Sequence, residues 1–456
     1  MPNRIALFMG PPPAHSPGWA YRIGLIATLL FLGCWSVLFE VSRQLEAVVL
    51  VMFIIGAVCT PARGRMARDP LLILLVIWLL LQCVTLPFAM AHFPAFADDQ
   101  ITSMRHLTKL FLVLPVAWFL YGHHLRTGLA LGLFLMGMVM TALVYLTLHP
   151  QYWFQLTANN RPTLGFKNWE HAGVALGVVL IALSCLAPRF TGWLRHGEAS
   201  TGWKSLSAAL MIAAFGMSAF GVLLVKTRAS WLGLILVIII SLMGLLITSL
   251  RKPAYRRRGL SLCALIIIAI GLLSVVLGPM LLTRMTAESG VIRHILQGDL
   301  TDIPMTSIGF RIHAWYYGIQ TWLEHPWFGW GPKSHIPLLL ESMHPVGQGT
   351  LGDIAAHKNL RHFHNSYLSL LIANGLAGTA VMAAAIGVII RGALMAWRRG
   401  DMPTDILVFL VLFGVFWAVV NSFESYINYD TGYFMAAMTG GLAYSFHLRH
   451  RLESSR

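Results

Sequence analysis

The sequence predicts an all-α polytopic integral membrane protein of about 12 transmembrane helices, with one large helical loop between spans 9 and 10. Three observations predict it. Of 456 residues, 57% are hydrophobic and 11% charged, a balance outside the range of water-soluble domains. Twelve apolar stretches approach the ~20 residues that cross a hydrocarbon core. The cations gather in alternate connections between those stretches, as membrane topology requires.

The spans fall near 23–40, 45–60, 70–91, 101–120, 127–148, 171–187, 205–225, 229–249, 259–283, 365–390, 405–421 and 431–447. Segment 1–22, with "GPPPAHSPGW", lacks the charged, apolar and small-residue order of a cleaved leader, so the first span is expected to stay. Spans 1–9 then fill 23–283, a loop subdomain fills 284–363, spans 10–12 fill 364–447 and a tail fills 448–456. The formal charge of +15 does not imply nucleic acid, because the basic residues punctuate apolar runs instead of gathering on one soluble face. All five cysteines lie in apolar runs without CxxC spacing, which predicts packing residues and neither disulfides nor a zinc site.

With both termini inside, the cytoplasmic connections "PARGRMARD", "YGHHLR", "RFTGWLRHGEASTGWK", "RKPAYRRRG" and "RGALMAWRRGDMP" and the tail "HLRHRLESSR" all carry arginine. "HFPAFADDQ" and "SFESYINYD", on the other side, carry none. This orientation puts the 80 residues from Arg284 to Phe363 outside, which for a bacterial inner membrane is the periplasm. It also isolates nine cations on the wrong side for topology: Arg161, Lys167, Lys226, Arg228, Arg293, Arg311, Lys333, Lys358 and Arg361.

In the outer loop, "TSIGFRIHAWYYGIQTWLEHPWFGWG" predicts an amphipathic helix capped by Thr306 or Ser307 and ended near Glu324 by Pro326 and the glycines beyond it. Trp315, Tyr316, Trp322, Trp327 and Trp330 suit the headgroup level of the outer leaflet. Shorter helices are expected in "SHIPLLLESM" and "GDIAAHKNLR". Arg311, near the positive start of the long helix, reads in isolation as a snorkelling or surface arginine.

Two helix starts carry the chemistry. In "LVKTRASWL", Thr227 caps the eighth span and Arg228 is its first helical residue. A helix start already presents free amides and partial positive charge, so Lys226 and Arg228 cost stability there unless an anion arrives. Anchoring at the interface is the plainer reading, weakened by the side of the membrane; a diphosphate cradle is the sharper one, suited to the planar arginine fork. In "RHFHNSYLSLLIANGLAG", Asn365 or Ser366 caps the tenth span and leaves His364 at its positive end. That field favours neutral imidazole, which makes His364 a candidate general base against the plainer reading of a capping histidine, with His362 a competitor for either role. Paired acids occur only at Asp98 and Asp99, in another loop, and no His/Asp/Glu cluster has ligand spacing, so no metal is expected. "GWGPKSH" lacks the pattern of a phosphate-binding loop and reads as a turn.

These residues resemble the O-antigen ligases, within the wider O-antigen ligase and polymerase superfamily that includes bacterial O-oligosaccharyltransferases. "RASWL" gives Arg-x-x-x-Leu from Arg228, and "HNSYLSLLIANGLAG" gives His364-Asn365, nine residues, then Gly375-x-x-Gly378. "GFRIHAWYYG" and "HPWFGWG" are similar to the segment that precedes the histidine motif in such proteins. The resemblance implies a GT-C-like glycosyltransferase without cofactors that moves polysaccharide from undecaprenyl diphosphate to a sugar hydroxyl of lipid A-core. It implies Arg228 and Arg311 on the diphosphate in place of a metal ion, His364 as base, and Arg161 and Lys226 as further phosphate candidates. Alternatives are an O-antigen polymerase, an O-oligosaccharyltransferase or, from another class, a lipid-linked glycan flippase. A flippase needs no base at a helix start. Oligomeric state is not legible.

Overall fold

The computed structural model describes residues 17–156, 160–252, 303–346 and 349–453 continuously, with 8, 10, 256–257, 259–268, 271, 278, 282, 286 and 289–297. Ahead of the large loop run α1 Gly18–Cys34, α2 Phe39–Cys59, α3 Pro70–His92, α4 Ala97–Thr108, α5 Val113–Leu120, α6 His124–Leu148, α7 Trp169–His196, α8 Thr201–Val225 and α9 Arg228–Arg251. A shorter apolar helix, α10, follows at Gly259–Ile268. The large loop holds α11 Ser289–Gln297, α12 Ser307–Glu324, α13 His335–Leu340, a two-stranded hairpin (β1 Pro345–Val346, β2 Gly349–Thr350) and α14 Leu351–His357. α15 Ser366–Arg398, α16 Thr404–Asn421 and α17 Asp430–Glu453 complete the fold.

Eight of these helices, α2, α3, α6, α7, α8, α9, α15 and α16, are long and apolar enough to cross a membrane. Their outward faces suit lipid: α9 exposes Leu232, Ile235, Ile239, Met243, Leu246 and Leu250 along one side. The remaining expected spans differ. The fourth is not one helix, because α4 passes through a 3-10 turn at Lys109–Leu112 before α5. Most of the ninth, near 259–283, lies outside the described residues, as do most of segment 1–16 and residues 454–456. α17, the twelfth, is buried all round and packs against α5 and α15. A helix enclosed by protein needs small residues more than lipid-facing ones; a Cβ at Gly440 would stand 2.7 Å from Val113 of α5. Packing is not the role of every cysteine, since Cys59 and Cys83 face outward.

The loop subdomain has its own core of Phe310, Ala314, Leu339, Val346, Leu351, Ala355 and Phe363, which rests on Leu368 and Ile372 of α15. Thr306 caps α12 by accepting from the Gly309 amide, and the helix ends at Glu324 as the sequence predicts. The expected aromatic belt is only partly one. Tyr316 and Trp327 are exposed, but the indole N–H groups of Trp315, Trp322 and Trp330 donate to the carbonyls of Phe363, Pro326 and Thr321. They tie the subdomain together instead of facing the leaflet.

The firmest tie between subdomain and bundle is a break in α15. Gly375 has φ 57 and ψ −163, which opens the helix there. The amides of Trp330 and Gly331 donate to the freed carbonyls of Ile372 and Ala373, while the amides of Leu376 and Ala377 donate to Pro326 and Trp327. The "HPWFGWG" segment thus completes a helix that has given up two of its own bonds. Gly329 (φ 68) is needed for the same approach, since a Cβ would lie 2.5 Å from the Ile372 oxygen.

A Cβ at Gly375 would stand 2.5 Å from the Phe328 nitrogen, in a conformation L side chains avoid, whereas one at Gly387 of the same helix meets nothing within 4 Å. Gly375→Ala is therefore expected to destabilise by about 3 kcal/mol or more, and Gly387→Ala by less than about 1 kcal/mol. Thermal unfolding in detergent compares the two.

Candidate active site at four helix starts

At the start of α15, Asn365 Oδ1 accepts from the amides of Tyr367 and Leu368. His364, just before this cap, has φ 50, a left-handed conformation that costs a non-glycine residue about 1–3 kcal/mol. Glu424, in the connection between α16 and α17, compensates. Its Oε2 accepts from His364 Nδ1 at 2.9 Å, and its side chain is 2% exposed. Glu424 Oε1 lies 2.7 Å from His362 Nε2 and accepts from the Ser425 amide at 2.9 Å. The two imidazoles stand 4.1 Å apart. Ser366 Oγ, 2.9 Å from the Glu424 carbonyl and 2.6 Å from Asn421 Oδ1, holds this connection to the first turn of α15.

The charges follow from this geometry. Burial pushes the Glu424 carboxyl up, but hydrogen bonds from His362, His364 and the Glu170 carboxyl outweigh it and hold the group well below the usual carboxylate range. Burial pushes His364 down, and its bond to Glu424 offsets only part of that. His364 is therefore a neutral imidazole whose Nδ1–H is committed to Glu424. Its Nε2 has no hydrogen-bond partner among the described residues and can accept a proton.

α7 begins beside this pair. Asn168 Oδ1 accepts from the amides of Glu170 and His171, which puts the Glu170 carboxyl in the first turn. Glu170 Oε1 lies 3.5 Å from Arg311 Nη2, so one carboxyl touches both Glu424 and the cation of α12. Arg311 is no surface arginine: its side chain is 17% exposed and its Nε is buried without a partner. Half-buried Arg161 lies 5.9 Å from the Trp169 ring centroid. Burial and then repulsion from Arg228 push the Arg161 guanidinium down, with Glu170 opposing them.

Arg228 opens α9 and is exposed, as the sequence predicts for the first helical residue. Thr227 stands at the cap position, but its hydroxyl makes no capping bond and is buried without a partner. α9 approaches closely where α7 has Gly173; a Cβ there would lie 2.8 Å from Ser230 Oγ. Lys226 has φ 53 and is 1% exposed, an enclosed amine below the turn and not a surface one. The starts of α7, α9, α12 and α15 thus meet, with Arg161 and Arg311 beside Glu170, Arg228 close enough to Arg161 to repel it, and Glu424 joining Glu170 to His364.

Two members of this network, Glu170 and Glu424, carry no signal in the linear sequence. "SFESYINYD" is informative there only for its lack of arginine, and Glu424 stands 60 residues from His364. The expectation that no His/Asp/Glu group has ligand geometry is corrected by the same residue. His362, His364 and Glu424 each offer one ligand atom, all within 4.8 Å of one another, a set that could hold a metal ion. Linear spacing missed it because the carboxylate comes from another helix connection.

Residues 212–383 match the family model described as O-antigen ligase, so this stretch is similar to that family. The match includes Arg228, Arg311, His362, His364 and Gly375, and leaves out Arg161, Glu170 and Glu424. A search of curated proteins returned no match.

Because the Glu424 charge favours imidazolium, Glu424→Gln is expected to lower the His364 pKa further, by about 1 unit or more. NMR titration of the imidazole measures this, and an upward shift would contradict the geometry.

Proposed function

We propose that this chain, whose residues 212–383 are similar to the O-antigen ligase family, is a glycosyltransferase, an O-antigen ligase that moves polysaccharide from undecaprenyl diphosphate to a hydroxyl of lipid A-core. Its home on this reading is the bacterial inner membrane, with twelve spans, both termini cytoplasmic and the site on the periplasmic face. The observation that carries the reading is a neutral histidine with one free ring nitrogen near Arg311, with Arg161 beside the same Glu170 carboxyl and Arg228 close to Arg161.

The reaction is an in-line displacement. The acceptor hydroxyl gives its proton to His364 Nε2 as its oxygen bonds to the anomeric carbon of the donor sugar. The bond from that carbon to the phosphate oxygen breaks, and undecaprenyl diphosphate leaves with the electron pair. Glu424 holds the imidazole in the accepting tautomer and stabilises the imidazolium that forms. Arg228 and Arg311, joined by Arg161, take the diphosphate, with the free amides of α9 adding to the field. Arg311 exchanges its long contact with Glu170 for phosphate oxygens. Lys226, being enclosed, adds positive potential and no direct contact. One base opposite the leaving group inverts the anomeric centre and needs no covalent intermediate. No metal step is assigned, because three guanidinium groups can neutralise the leaving diphosphate.

Reconstitution with lipid-linked glycan and lipid A-core tests the assignment. Glycan on core supports a ligase, whereas extension of the lipid-linked glycan selects a polymerase and movement without bond formation a flippase. His364→Ala is expected to lower transfer about 10²- to 10⁴-fold while donor binding persists; near-normal turnover removes the base assignment. Arg228→Ala is expected to lower kcat/KM for the donor at least about tenfold, the size of one lost charge-assisted contact. After metal stripping and in excess chelator, transfer is expected to continue. Its loss, restored by a divalent cation, would instead assign His362, His364 and Glu424 to a metal.

A further inference from the structure

Several cations on the outer side take no part in the diphosphate cradle, and two of them, Lys333 and Arg361, line one cavity of about 150 Å³ with Asp99 of α4. That size suits one phosphate or one sugar unit and falls well below the several hundred Å³ of a drug-sized site. None of Arg161, Lys226, Arg228 or Arg311 lines it.

The cavity is polar and unsatisfied. His335 is 3% exposed and its Nδ1 has no partner, and Asn428 Nδ2 is likewise buried and unpartnered; both residues line the space. Buried polar atoms without partners are rare and mark places where a ligand or water completes the bonding. Lys333 is held at φ 60, another left-handed non-glycine residue; its carbonyl accepts from the Ile336 amide, but its ammonium makes no hydrogen bond or ion pair among the described residues. Burial depresses its ammonium; Asp99 offsets part of that and repulsion from Arg361 adds to it. Tyr429 completes the lining and connects it to the base: its hydroxyl lies 3.4 Å from His362 Nδ1, whose ring is 4.1 Å from that of His364.

We propose that this cavity is the acceptor subsite, a pocket for a saccharide bearing a phosphate or carboxylate, which Lys333 and Arg361 hold so that a neighbouring hydroxyl reaches His364. The inference rests on the ligase reading for the word acceptor; the recognition of an anionic sugar does not. Lys333 and Arg361 bind the anion. Asn428 donates to it or to a ring hydroxyl, and Asp99 accepts from hydroxyls and rejects a second anion.

The test uses the full-length protein in nanodiscs and two soluble probes, phosphorylated core oligosaccharide and the same oligosaccharide after phosphatase treatment. Wild type is expected to bind the phosphorylated probe at least about tenfold more tightly, the scale of one charge-assisted hydrogen bond. Lys333→Asn, which suits the left-handed backbone, and Arg361→Gln are each expected to abolish most of that preference with the thermal transition retained. In transfer assays the same variants raise KM for acceptor and leave KM for lipid-linked donor in place. Equal affinity for the two probes, a preference that survives in both variants, or a rise in donor KM equal to the acceptor's would overturn the proposal. Binding needs no turnover, so a preference for the phosphorylated probe without any transfer would sink the ligase reading and leave the anionic-sugar site standing.

Discussion

One buried carboxylate organises the site. A lone charge as enclosed as Glu424 would cost several kcal/mol, and two imidazoles, a backbone amide and a neighbouring carboxyl offset that cost. The relation is mutual. Glu424 needs donors to stay ionised, His364 needs an acceptor to hold its ring in a strained backbone, and Glu170 needs a cation once it turns inward. Satisfying the three together fixes the starts of α7, α12 and α15 relative to one another, although they are spread from residue 168 to residue 366.

A second constraint keeps the arrangement from drifting. α15 carries the histidine at its first turn and the glycine break about three turns later, where the loop after α12 supplies the missing backbone partners. α12 carries Arg311. Arg311 and His364 therefore ride on two segments stitched together by main-chain hydrogen bonds, which only a glycine at Gly375 and at Gly329 leaves room for. The separate small core between them reinforces the same alignment.

Local features were legible in the sequence and assembled ones were not. Asn365 after His364 and the Thr306-to-Glu324 limits of α12 are decided by capping and proline chemistry within a few residues and stand where those rules put them, whereas Thr227 holds the cap position before Arg228 without a capping bond. Arg228, Arg311 and His364 could be singled out because each breaks a local expectation about charge. Glu170, Glu424 and Asp99 break none: an acid near a helix start is ordinary, and its importance comes from a partner far along the chain. The break at Gly375 was hidden for a related reason. Glycine is frequent in spans, and only the docking of Trp327 to Gly331 distinguishes this one. The tryptophans misled because an indole suits a headgroup and a buried carbonyl equally well.

α17 stands at the centre of the bundle yet is the last of the described helices to leave the ribosome. The earlier helices can enter the bilayer one by one, but α5 and α15 lack their most extensive packing partner until α17 emerges. Assembly must therefore pass through a stage in which inserted helices are held loosely. The space that Tyr433, Phe434 and Met438 fill closes only when α17 arrives, and the Glu424 connection that leads into α17 is set at the same step.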